Sequence, residues 1–93
     1  MDKIAGIESD IRSLKIQGAT DVALCVLEGI RLSFNSEIPE NKNIALKLAN
    51  ARPTEPLAQN AVRFLFDSTV NKEILGQRIS DYEQMINRAK SSI

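Results

Sequence analysis

Two short stretches of this 93-residue chain carry residue types suited to a phosphate: Ile16, Gln17, Gly18, Ala19 and Thr20, and then Ala51, Arg52, Pro53 and Thr54. Gly18 permits close backbone approach and positive φ. With Ala19 and Thr20 it places unpaired N–H groups at a helix start, where the helix dipole favours an anion. Gln17 adds hydrogen-bond donors beside them. Arg52, in a loop ahead of Pro53, offers a planar fork to the same or a neighbouring phosphate, which lysine would copy poorly. Each residue also has a plainer reading. A glycine at this place commonly terminates a helix. An arginine before proline is commonly a solvated loop residue or the structural partner of a carboxylate, and Pro53 and Thr54 shape a turn.

Other chemistry is narrowly bounded. The chain has a single cysteine and no histidine. That excludes an internal disulfide, a zinc site of the usual Cys and His type, and any histidine-based acid/base or nucleophile scheme. Cys25 lies inside an apolar stripe and reads as a small core residue, since nothing near it in sequence would lower its pKa or act as a base.

The elements that must position these residues follow from apolar spacing. Ile4, Ile7, Ile11 and Leu14 recur at helical intervals and predict a first helix over residues 2–15, punctuated by Gly18. Thr20 and Asp21 offer an N-cap or a first-turn acid to a second helix. Its broad stripe, Val22, Ala23, Val26, Leu27, Ile30 and Phe34, makes it the most buried expected element. Pro39 and Glu40 start a third helix through Ile44, Ala45, Leu48 and Ala49, which stops before Pro53. Thr54 is the expected cap of a fourth helix carrying Leu57, Ala61, Val62, Leu65 and Phe66.

Asn71 and Lys72 restart the chain. Leu75, Ile79, Tyr82, Ile86, Ala89 and Ile93 then alternate spacings of four and three, a narrow seam on one long helix. This seam is a candidate interaction surface: it packs on its own bundle, leads into a further domain, or pairs two chains. Tyr82 is expected to carry its hydroxyl into water, and the charges from Arg78 to Lys90 to form a solvated face. Strand, hairpin and repeat signals are nearly absent, so the expected fold is all-α, a small bundle of about five helices with a long last one.

Composition bounds the function class. Lys plus Arg and Asp plus Glu are balanced at 12 each, which leaves no long-range field to attract nucleic acid or an acidic membrane. No apolar run approaches the ~18 residues of a membrane span, and Met1, Asp2 and Lys3 do not open a secretion signal. A cytoplasmic location is expected. A chain of this length makes one domain and buries only ~60–70% of its unfolded surface, so a partner covering more of it would add stability.

The order and spacing of the two motifs resemble one family: the regulatory subunits of initiation factor 2B, their archaeal relatives, and the sugar-phosphate isomerases acting on ribose 1,5-bisphosphate and methylthioribose 1-phosphate. Its members open with a helical domain in which a segment like (K/R)-I-x-G-A precedes one helix and x-R-P-T another, matched here by Lys15 to Ala19 and by Ala51 to Thr54. Gln59, Asn60, Ala61, Val62 and Arg63 extend the likeness, which spans residues 11–66. The resemblance implies a single helical domain equivalent to the N-terminal domain of a longer protein, whose Rossmann-like second domain supplies the catalytic cysteine and aspartate. Residues 1–93 alone are then no enzyme, Cys25 is not the catalytic cysteine, and no cofactor is implied.

By the same resemblance Gly18, Ala19 and Arg52 belong to a substrate-phosphate site, with Gln17 standing where isomerases commonly carry arginine. That missing charge moves the expectation toward the initiation-factor-like branch. The implied partners are the second domain, sister subunits or a translation initiation factor, and, in the isomerase branch, a sugar phosphate or nucleotide. A free-standing helical dimerisation module is the remaining alternative.

Overall fold

The computed structural model describes residues 3–16 and 18–91. Gln17 and Ile93, both named above, lie outside the described residues. Five helices follow one another: α1 (Lys3–Arg12), α2 (Ala19–Leu32), α3 (Ile38–Asn50), α4 (Pro56–Leu65) and α5 (Lys72–Ser91). No strand occurs among the described residues, and the long last element is there, so the all-α bundle expected from periodicity is the observed fold.

Helix α2 is the centre of the bundle. It packs against each of the other four helices, and Val22, Ala23, Val26, Leu27, Gly29 and Ile30 along it are all buried. Gly29 is what lets α3 come close: a Cβ there would collide with Leu48 Cδ1 and lie 3.6 Å from Ile44 Cγ2. Ala45, Leu48 and Ala49 of α3, and Ala58, Ala61, Val62 and Leu65 of α4, complete the apolar core around it.

The boundaries show which local rules prevailed. Helix α1 ends at Arg12 rather than at residue 15, and Gly18 is not its terminator. Leu14 takes the left-handed conformation, with φ 68°, while the Lys15 and Ile16 N–H groups both return to the Asp10 carbonyl at 3.0 and 3.2 Å. This is the hydrogen-bond logic of a glycine C-cap, carried here by a leucine. Because the helix unwinds at Ser13, Leu14 leaves the apolar stripe and stands half exposed, whereas Ile11 is fully buried. Gly18 itself is extended (φ −70°, ψ 142°) and serves as the N-cap of α2, so its capacity for positive φ is not used. Thr20 lies inside the first turn, and Asp21 is the first-turn acid.

Thr54 does not cap α4. Proline disfavours helical backbone in the residue before it. With proline at position 56, Glu55 is held at φ −93°, ψ 100°, becomes the N-cap, and α4 begins at Pro56. Arg52, Pro53, Thr54 and Glu55 form a turn closed by Glu55 N–H donating to the Arg52 carbonyl at 3.0 Å, with proline in the place that turn favours. Helix α5 is capped by Asn71, whose Oδ1 accepts from the Ile74 N–H at 2.8 Å.

A buried polar cluster ties the α2 end to the starts of α3 and α5. Asn41, fully buried, donates from Nδ2 to the Ser33 carbonyl at 2.5 Å and to Ser33 Oγ at 3.2 Å. Its Oδ1 accepts from Lys72 Nζ at 2.6 Å. The same ammonium donates to the Phe34 carbonyl and sits 4.5 Å from the centre of the Phe34 ring. A cation is unfavourable at the α5 N-terminus, but here it serves the carbonyl-rich C-terminal end of α2.

Candidate functional site

The structure joins the two motif segments. Arg52, in the turn between α3 and α4, donates from Nη1 to the Ile16 carbonyl at 3.2 Å and from Nη2 to Glu55 Oε1 at 3.1 Å. Its side chain is 20% exposed and that of Glu55 17%, so both faces of this ion pair are largely removed from water. The bond to Ile16 crosses 36 positions of sequence and fixes the approach to the α2 N-terminus. Gly18 and Ala19 are exposed beside it.

The anion-binding parts of this arrangement are internally engaged. The Arg52 fork already holds a carbonyl and a carboxylate. At the α2 N-terminus, Asp21 folds its carboxylate back so that Oδ2 lies 3.3 Å from the place a Cβ on Gly18 would take, which sets a built-in negative group where the dipole favours one. Gln59, within the second motif, also acts structurally: its Nε2 donates to the Ala49 carbonyl at 3.2 Å and to Asn50 Oδ1 at 3.3 Å, satisfying the end of α3.

The seam residues divide. Leu75, Ile79, Tyr82 and Ile86 are buried against the chain's own bundle, Ala89 is exposed, and Ile93 lies outside the described residues. Tyr82 does not send its hydroxyl to water. It donates to the Leu57 carbonyl at 3.0 Å, and its ring meets Phe64 at a centroid distance of 5.6 Å. The charged flank is also paired in part: Arg78 reaches Asp67 Oδ2 at 3.0 Å, and Arg31 of α2 forks onto both oxygens of Glu83 at 2.8 and 2.9 Å. That last hydrogen-bonded pair raises the Arg31 pKa and lowers that of Glu83.

A second feature lies outside the site residues named from sequence. An open groove of about 470 Å³ runs between α2 and the distal half of α5, lined by Lys15, Ile16, Asp21, Leu24, Cys25, Glu28, Arg31, Glu83 and Asn87. Its signal was present: Asp21, Leu24, Cys25, Glu28 and Arg31 recur at helical spacing on the side of α2 away from the apolar stripe. Cys25, expected inside the apolar stripe as a core residue, stands instead on this groove side and is half-buried at the edge of the core. Burial pushes its thiol pKa up, and Asp21, Asp10 and Glu28 push it further the same way, so it is held as a protonated thiol at neutral pH.

Among the described residues no group of His, Cys, Asp and Glu side chains is arranged to hold a metal ion. No described helix is long and apolar enough to cross a membrane. Fold and site together define a small all-α domain with a satisfied polar framework and an open charged groove. No family model matches the chain, and no curated protein or solved structure matches it.

Proposed function

We propose that this chain is the helical accessory domain of a protein like the initiation factor 2B subunits, acting in the cytoplasm by docking on its own second domain, on sister subunits or on a translation initiation factor. It turns over no substrate by itself. The observation that supports this reading is the Arg52 bridge: the two stretches that carry the family likeness meet through the Ile16 carbonyl, and the arginine that a phosphate would need is already held by Glu55. A residue so engaged contributes a rigid framework more readily than a ligand clamp, since a phosphate would have to displace a partly desolvated carboxylate.

The second reading, an N-terminal substrate-phosphate domain of a sugar-phosphate isomerase using Gln17, Gly18, Ala19 and Arg52, draws support from the same contact. Arg52 is bonded two residues from Gly18, close to the exposed start of α2. The dimerisation module has less behind it, because the core of its seam is occupied intramolecularly.

The deciding experiment is a calorimetric and thermal-shift titration of ribose 1,5-bisphosphate and AMP against the chain joined to an isomerase-type second domain, with Arg52→Ala alongside. Absence of binding by the folded two-domain protein, together with co-sedimentation with sister subunits, is the expected result. Phosphate-ester binding that Arg52→Ala abolishes would refute the docking reading and establish the isomerase one.

A further inference from the structure

The α2/α5 groove has a charge pattern unlike that of a phosphate site. Its floor is apolar: Ile16, Leu24 and Cys25 are each packed on the core yet only half covered. Its rim carries Asp21, Glu28 and Glu83 against Lys15 and Arg31. Arg31 is neutralised by its forked bond to Glu83, and Lys15 faces Asp10 at 4.0 Å. Glu28 is exposed and its side chain makes no hydrogen bond or ion pair among the described residues, although its charge also acts on Arg31 one turn along. Asp21, already engaged within the fold, adds to the same field. It lies seven residues from Glu28, about 10 Å along the helix axis.

We propose that this groove docks a basic amphipathic segment of a partner protein, with a lysine or arginine meeting Glu28, a second near Asp21, and an apolar side chain seated on Ile16, Leu24 and Cys25. The charge chooses the sign of the partner: once the Arg31–Glu83 pair cancels, an anion would meet Asp21 and Glu28 against Lys15 alone, itself 4.0 Å from Asp10, whereas a cation finds in Glu28 an acid without an ion pair over a floor that accepts its aliphatic stem. The shape chooses its class. Small-molecule sites enclose most of their ligand's surface, while this trough is open along its length and admits side chains from one face of a helix. The acids that raise the Cys25 pKa act across the same space. The inference rests on the docking half of the function proposed above and not on the family likeness.

The test uses the 93-residue chain with a helical peptide of leucine and lysine, its lysines seven residues apart, followed by amide chemical shifts. The expected result is saturable shifts at Ile16, Leu24, Cys25, Glu28, Glu83 and Asn87, weakened by salt and reduced about tenfold in affinity by Glu28→Lys, a rim charge reversal. Glu28 is exposed, so an unchanged helical spectrum separates lost docking from lost folding.

The proposal is overturned by shifts centred on exposed Phe64 and Met85 instead, by equal binding of a peptide with glutamate replacing lysine, or by spermidine binding as tightly as the peptide. Sister-subunit binding that persists in Glu28→Lys, with no peptide shift in the parent chain, overturns the groove and spares the accessory-domain reading. Peptide binding without sister-subunit binding does the reverse.

Discussion

Replacing Asn41 by leucine tests whether the polar cluster at the α2 end holds α5 in place. Leucine keeps the same branched outline with somewhat more bulk, so the change removes hydrogen bonds without opening a cavity. Asn41 is fully buried and makes three of them: two from Nδ2 to Ser33 and one accepted from the Lys72 ammonium. A neutral hydrogen bond contributes ~1 kcal/mol net and one to a charged group ~1.5–3 kcal/mol. Burying an apolar side chain in place of the amide returns ~1–2 kcal/mol. The expected net cost is then ~2–3 kcal/mol. In a domain of this size each 1 kcal/mol moves Tm by about 4–8 °C, so a fall of roughly 10–20 °C is expected in helical signal monitored by circular dichroism.

The companion change Lys72→Met keeps most of the stem over Phe34 and removes the ammonium. Because Asn41 and Lys72 share a bond, the two costs should not add; a double-mutant cycle should show coupling of ~1 kcal/mol or more. Amide exchange should rise along α5 in both single variants, since α5 is the element the ammonium anchors. Refutation is equally concrete. A Tm change under ~4 °C for Asn41→Leu, or strict additivity with Lys72→Met, would mean that the cluster merely satisfies its own polar groups and does not hold the helix.

Three further perturbations follow from particular contacts. Gly29→Ala gains up to ~1 kcal/mol of helix propensity, but its Cβ meets the fully buried Leu48, so a net loss of ~1–2 kcal/mol is expected by urea unfolding, and any gain would contradict the close α2/α3 approach. Tyr82, buried and donating to Leu57, has its pKa raised above 10.0 by burial; its stabilising contribution is fully present below that ordinary value and lost as pH rises through the raised one, so Tyr82→Phe should cost ~1 kcal/mol at neutral pH and flatten the alkaline side of the stability profile. For Glu83, whose pKa is lowered by the Arg31 bond, the sign reverses: its contribution is present above the ordinary carboxylate pKa and lost as pH falls through the depressed one, so Glu83→Gln should remove part of the acid-side loss seen in a pH titration of Tm.

How much of this was legible in the sequence depends on whether a residue's role was set locally. The stripes of α2 and α5 are readable because 3.6-residue spacing alone determines which side chains share a face; Val22, Ala23, Val26, Leu27 and Ile30, and Leu75, Ile79, Tyr82 and Ile86, are buried as that spacing requires. The α1 terminus was not readable. Gly18 is the stronger local stop signal, yet the chain reverses at Leu14, because Ile11 must stay in the core while the Ile16 carbonyl meets Arg52. Local preference for glycine lost to two distant anchors. The α4 start failed for the opposite reason: the rule that proline displaces its predecessor from helical backbone was available in Glu55 and Pro56, and outranked the attraction of Thr54 as a cap.

Residues chosen for chemistry show the same division. Arg52 was singled out for its charge and geometry, and the structure puts that geometry to use on Ile16 and Glu55. Glu55 sits three positions away, near enough to pair but with no signal that it would be 17% exposed rather than solvated. Burial of a loop carboxylate is a tertiary fact that spacing along the chain does not encode. Glu28 is the converse. Its place on the polar side of α2 is that of ordinary surface, and it becomes informative only because α5 crosses nearby and closes one side of the groove through Glu83 and Asn87. A sequence identifies groups able to bind; whether they remain available is decided by the neighbours that the fold brings to them. That distinction separates the engaged arginine from the unpaired glutamate, and it makes Glu28→Lys the sharper probe of docking and Arg52→Ala the sharper probe of framework.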